Sequence, residues 1–209
     1  FRTEYTLKTA KGSIRVSLPN FAGEFQIMNS LQAAAVALSY GISPENVRDT
    51  FAKIQGVKGR MEQVRAHGKQ NIHIFIDYAH TPDALENVLG TLRAIAPDRE
   101  LICLFGCGGD RDKTKRPEMA KIAEKMADRI IVTSDNSRTE KTSDIMADIK
   151  AGFELSGRAR SLFIEDREQA IRTAIMIAGQ GATILLAGKG HETYQIIGKE
   201  KHHFDEKEI

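Results

Sequence analysis

Asp135-Asn136-Ser137-Arg138 follows a strand-like run, Arg129-Ile-Ile-Val-Thr133, and places two polar acceptors and a guanidinium in one short loop. Such a loop can clamp a small zwitterion. The arginine offers a carboxylate two parallel hydrogen bonds, and Asp135 can take an ammonium. Taken alone, the tetrapeptide reads more readily as a helix cap beside a surface arginine. Three further loops shift that balance: Asp77-Tyr78-Ala79-His80, Gly106-Cys107-Gly108-Gly109-Asp110-Arg111 and Gly188-Lys189-Gly190-His191-Glu192. Each stands at or just beyond the end of an apolar run.

The glycine-rich turn at 106–109 lets backbone N–H groups approach an anion, and Arg111 adds a fork for phosphate or carboxylate. It is neither a phosphate-binding loop of the G-x-x-x-x-G-K-[ST] type nor a full dinucleotide fingerprint, since its third glycine is absent. In the 188–192 loop the glycines again permit close approach, Lys189 reads as a mobile cation and Glu192 as an ammonium acceptor. His191-Glu192 is not a zinc-protease start, because Gln195 stands where the second histidine belongs. Asp77 could accept two ribose hydroxyls and His80 could line a nucleotide. Arg60, in Gly59-Arg-Met-Glu62, could reach a phosphate. His202, His203 and Asp205 read as an exposed hairpin rather than a metal site.

The elements around these loops alternate. Runs at 72–77, 101–105, 129–133, 161–165 and 182–187 read as buried strands. Amphipathic runs at 82–96, 115–127, 143–155 and 167–178 read as helices between them, and 194–197 with 202–204 as a closing hairpin around Gly198. That rhythm predicts an α/β fold: a Rossmann-like, mostly parallel sheet with helices on both faces. Ligands of such sheets bind at the carboxyl ends of the strands. Before it, 5–8 and 13–18 read as a hairpin joined around Lys11-Gly12. Residues 25–40 read as a helix ending at Gly41, and a second helix, capped by Ser43 with Pro44 in its first turn, runs to about Gln55. Gly56-Val57-Lys58-Gly59 reads as a joint. A domain boundary is expected there, giving 1–57 and 58–209.

A net charge of +2 supplies no field for nucleic acid or an anionic membrane. Two cysteines are too few for a disulfide framework or a four-cysteine zinc site. No apolar run approaches a membrane span, and no signal peptide opens the chain. The expectation is a cytoplasmic monomer. The chain starts at Phe1 without a methionine, as a fragment would.

Taken together the loops resemble those of the Mur ligases of bacterial cell-wall synthesis, most closely the members that add the third residue of the stem peptide. The residues that carry the likeness are Asn29 in Phe25-Gln-Ile-Met-Asn-Ser-Leu31, Gly59-Arg-Met-Glu62, Asp77-Tyr-Ala-His-Thr-Pro82, Gly106-Cys-Gly-Gly-Asp-Arg-Asp112, Asp135-Asn-Ser-Arg138 and Gly188-Lys-Gly-His-Glu192. The resemblance implies that 1–57 is the C-terminal portion of a P-loop-type ATPase domain and that 58–209 is a Rossmann-like amino-acid-binding domain. It implies ATP and Mg2+ as cofactors, with the phosphate loop, the metal ligands and a modified lysine upstream of Phe1, and no turnover by this chain alone.

The implied reaction activates the carboxylate of a UDP-muramoyl dipeptide as an acyl phosphate, which the amine of meso-diaminopimelate attacks. By motif match, Asn29, Arg60, Asp77 and His80 would hold ATP. Arg111, Asp135, Asn136, Ser137, Arg138, Gly188 and Glu192 would hold the amino acid. Members using diaminopimelate carry Asp-Asn-Pro-Arg, and lysine users lack the arginine. Ser137 departs from that pattern, which leaves lanthionine or L-lysine as alternative substrates. A non-catalytic nucleotide-binding Rossmann module is the other reading.

Overall fold

A computed structural model describes residues 2–10, 12–19, 21, 23–66, 68 and 71–209. The chain divides into two compact units, Phe1–Val57 and Lys58–Ile209.

In the first unit, β1 (Arg2–Thr9) and β2 (Gly12–Pro19) form an antiparallel hairpin, longer than expected at both ends. Lys11, placed in its turn by the sequence, lies outside the described residues. Helices α1 (Glu24–Ser39) and α2 (Pro44–Phe51) follow. Ser43 caps α2 by accepting from the Asn46 N–H at 3.2 Å, with Pro44 at the first turn, where its missing N–H costs nothing. The helix stops at Phe51, short of Gln55, where the Lys53 and Ile54 N–H groups bond three residues back, to the Thr50 and Phe51 carbonyls; Phe51 packs in a core with Leu7, Val16, Leu18, Phe21, Ala34 and Val47.

The second unit is built on β3 (Glu62–Val64), β4 (His73–Asp77), β5 (Leu101–Phe105), β6 (Arg129–Val132), β7 (Ser161–Phe163) and β8 (Thr183–Ala187). They form one sheet in the order β3-β4-β8-β5-β6-β7. All neighbours pair in parallel except β3, which runs antiparallel to β4. Four of its helices are α3 (Pro82–Ile95), α4 (Lys115–Met126), α5 (Thr142–Lys150) and α7 (Arg167–Ile177), and a short α6 (Leu155–Ala159) lies before β7. The helix expected over 143–155 ends at Lys150, and α6 begins where it was expected to stop.

Alternation along the buried strands sorts the faces. Ile74, Ile76, Ile102, Leu104, Ile131, Ile184 and Leu186 pack with Ala170, Ile171 and Ala174 of α7. The opposite set, Phe75, Cys103, Phe105, Ile130, Val132, Leu185 and Ala187, is equally buried and faces the α3–α4–α5 layer. A two-stranded hairpin, β9 (Tyr194–Ile197) with β10 (Glu200–His203), completes the unit.

Parallel register fixes where the loops emerge. Asp77 pairs with Ala187, Leu104 with Leu186 and Phe105 with Val132. The strands end level, so the four loops leave the same rim.

Candidate functional site

At that rim a cleft of about 310 Å³ is lined by Tyr78, His80 and Thr81 after β4, by Gly106, Cys107, Gly108, Arg111 and Asp112 after β5, by Asp135, Asn136 and Arg138 after β6, and by Gly188 and Glu192 after β8. Its size suits one small metabolite. Arg111, Arg138 and Lys115 line it together with Asp112, Asp135 and Glu192. A cleft lined by charges of both signs suits a zwitterion.

Arg138 is the most constrained residue of the site. Its φ is 51°, in the left-handed region that non-glycine residues seldom adopt. Its N–H donates to the Ile196 carbonyl at 3.1 Å, and its own carbonyl accepts from the Gly198 N–H at 2.7 Å. The guanidinium spends Nη1 on the carbonyls of Gly109 at 2.9 Å and Asn136 at 3.3 Å. No carboxylate among the described residues pairs with it, so the rest of its fork is left for a ligand. Arg111 is exposed and, among the described residues, donates only to the Asp110 carbonyl, at 3.1 Å.

Beneath them lies a buried charge network. Lys189 is fully buried and not a mobile cation. Its ammonium donates to the Tyr194 carbonyl at 2.7 Å and Asn136 Oδ1 at 3.1 Å, and lies 3.4 Å from Asp135 Oδ1 and 3.6 Å from Glu192 Oε2. The rings of Tyr194 and Phe204 lie over it, with centres 6.0 and 5.9 Å from the ammonium, which a loop position in the sequence does not reveal. Burial works to raise the Asp135 carboxyl. The Lys189 ammonium, the Arg167 guanidinium and the Asn136 N–H outweigh it and hold the group below the usual carboxylate range. Asn136 acts as a bracket: Oδ1 also accepts from the Ile196 N–H at 2.9 Å, and Nδ2 donates to Glu192 Oε2 at 2.9 Å.

Ser137 turns away from the cleft. It lines a separate cavity with Ser134, Gln195 and residues 165–168. Residue 137 therefore acts on the loop backbone, not on the cleft wall. Gly109 lies directly against that backbone; a Cβ there would sit 1.9 Å from the Ser137 carbonyl oxygen.

Of the residues matched to ATP, Arg60 and His80 gather around Tyr78. The Arg60 guanidinium lies 5.1 Å from its ring centre, and the rings of His80 and His191 lie at 4.7 and 5.2 Å. Asp77 is buried, and its Oδ2 accepts from the Met61 N–H at 2.7 Å. Burial pushes its carboxyl up, against the pull of the Met61 and Ala79 N–H groups and Arg60. Here it fastens the 59–62 turn. Asn29 is exposed on α1 of the first unit.

Sequence reasoning missed three cations. Lys115 lines the cleft and donates to the His80 carbonyl at 2.7 Å. Arg116, fully buried, pairs with both oxygens of Glu140 at 2.9 and 3.0 Å and with Asp148 at 2.8 Å, tying α4 to the 135–140 loop. Arg167 reaches the carbonyls of Ser134 and Ala187 at 3.0 and 2.9 Å and pairs with buried Glu206 at 2.8 Å. Only Lys115 had a readable signal, its place in the first turn after a glycine loop. Among the described residues no group of three His, Cys, Asp or Glu side chains is placed to hold a metal. No helix among them is long and apolar enough to cross a membrane.

A parallel sheet whose carboxyl-end loops gather opposed charges around a small cleft defines an α/β domain that binds a charged small molecule. The chain belongs to the Mur ligase family: the family model for the Mur ligase glutamate ligase domain matches residues 59–190. It is 46% identical over 203 residues to the UDP-N-acetylmuramoyl-L-alanyl-D-glutamate–2,6-diaminopimelate ligase of Trichormus variabilis, covering 97% of this chain and 40% of that protein. The ligase of the same name from Fusobacterium nucleatum is 48% identical over 187 residues, covering 90% and 38%. A solved structure of a ligase of that name superposes with a TM-score of 0.68 at 40% identity, covering 97% of this chain and 40% of the other. The chain thus spans about 40% of the length of these relatives.

Proposed function

We propose that this chain is the C-terminal portion of a cytoplasmic, ATP-dependent ligase that adds meso-diaminopimelate to UDP-N-acetylmuramoyl-L-alanyl-D-glutamate in peptidoglycan synthesis. The observation that carries the reading is the meeting of Arg111, Arg138, Asp135, Gly188 and Glu192 in one small cleft. A diamino dicarboxylate brings a carboxylate and an ammonium at each end. Arg138 takes one carboxylate through its free fork, and Arg111 stands at the same cleft for a second. Glu192 and Asp135, already oriented by Asn136 and Lys189, take an ammonium.

The dipeptide carboxylate receives the terminal phosphoryl group of ATP and becomes an acyl phosphate. The amine then attacks the acyl carbon, the C–O bond to phosphate breaks, and the amine proton passes to solvent. What the chain supplies is orientation and charge complementarity. Arg60 and His80, both against the Tyr78 ring, are the groups of this unit that would hold the nucleotide, with Asp77 fastening the turn that carries Arg60; Asn29 is assigned to the nucleotide by its motif alone. Magnesium ligands are assigned to the part of the longer ligase outside this chain.

L-Lysine lacks the second carboxylate, and its ammonium would leave Arg138 unpaired, a repulsion that disfavours it. Lanthionine keeps both carboxylates, so the cleft accommodates its chemistry equally. The test is ADP release by the full-length ligase with the UDP-muramoyl dipeptide and each diamino acid in turn. Release that requires meso-diaminopimelate is expected. Equal rates with L-lysine would overturn the substrate assignment, and ATP turnover by the 209-residue chain alone would overturn the division of labour.

A further inference from the structure

We infer that the β9–β10 hairpin, through Gln195, positions Arg138 and thereby sets the preference of the cleft for a second carboxylate on the incoming amino acid. This rests on the ligase reading above.

The hairpin is a backing strand for the loop after β6. Gln195 Nε2 donates to Ser134 Oγ at 2.8 Å and to the Asp135 carbonyl at 3.0 Å. The Ile196 N–H donates to Asn136 Oδ1 at 2.9 Å. The Ile196 carbonyl and the Gly198 N–H hold the two sides of the Arg138 peptide. Of residues 134–138, all but Ser137 are bonded to the hairpin.

This matters because Arg138 has a left-handed backbone. An L-residue keeps that conformation only where its surroundings impose it. If the loop slides along the hairpin, the guanidinium leaves the Gly109 carbonyl and its open fork no longer points into the cleft. Gln195 faces the cavity behind the loop and is absent from the cleft wall. It therefore acts through the loop and is a positioning residue.

The test uses the full-length ligase carrying Gln195→Ala or Gln195→Glu; the second keeps the side-chain volume but has no N–H to donate. Losing two neutral hydrogen bonds should raise KM for meso-diaminopimelate about 10-fold. KM for ATP should hold, and kcat/KM for meso-diaminopimelate over L-lysine should fall by a similar factor. In an Arg138→Ala background, Gln195→Ala should add almost nothing, because both act on one interaction. A purely structural role would lower stability and leave the substrate ratio unmoved. An unmoved ratio in both variants, or full additivity with Arg138→Ala, overturns the inference. Wild-type protein that ignores meso-diaminopimelate instead overturns the ligase reading beneath it.

Discussion

Arg138 Nη1 donates to the Gly109 carbonyl over 2.9 Å, so the backbone of one loop aims the guanidinium of another. The bond leaves Nε and Nη2 for a carboxylate. Arg138→Ala should weaken meso-diaminopimelate by roughly 30–100-fold, the size of a lost charge-assisted bidentate pair. Arg138→Lys should not restore it, because one ammonium cannot serve the Gly109 carbonyl and a bidentate ligand together. Isothermal titration or KM of the full-length ligase checks this. Full rescue by lysine would mean that charge alone is read.

Gly109→Ala would place a methyl 1.9 Å from the Ser137 carbonyl oxygen, a backbone atom with nowhere to turn. The two loops must part. The variant should lose about 2 kcal/mol or more of stability in urea melts, and its binding of meso-diaminopimelate with it. A wild-type melting curve would show that these loops separate freely.

Glu140 contributes to the pH dependence of stability. The Arg116 fork, Lys113 and the Asp110 N–H lower its carboxyl from 4.5 to about 2. The folded value lies below the unfolded one. The group therefore stabilises the fold fully above about pH 4.5, and that contribution is lost as pH falls towards 2. Acid titration of stability should show this decline in the wild type and less of it in Glu140→Gln. Identical slopes would remove Glu140 from the balance.

Cys103 and Cys107 are buried, and burial pushes both thiols up to about 12. Neither should react with a disulfide reagent at about pH 8 in the native state, since the thiolate is the nucleophile. Both should react in denaturant. Rapid native labelling of Cys107 would mean that the cleft floor opens.

The sequence announced the rim because glycine, asparagine and acidic clusters punctuate apolar runs that are long and unbroken, as at Leu101–Phe105. β3 escaped notice because Glu62-Gln63-Val64 is three residues with no alternation to read. The break after α5 was missed because a lone glycine is tolerated in helices; Gly152 ends this one by lying against the Pro117 backbone. Arg116, Arg167 and Lys189 were invisible as buried groups because such side chains are exposed by default. Only tertiary partners distant in the chain, such as Glu140 and Glu206, make their burial tolerable. Strand order was equally hidden, since nothing in Thr183–Ala187 says which neighbours it will have.

β8 lies between β4 and β5, although it is the last strand of the sheet to be made. A nascent chain leaving the ribosome therefore carries two apolar ribbons with their shared partner still unsynthesised, a long-range closure of the kind that folds slowly and exposes sticky edges. Any premature stop before Ala187 removes the keystone of the sheet. The cell then holds an aggregation-prone stub for its proteases, with no residual capacity to bind.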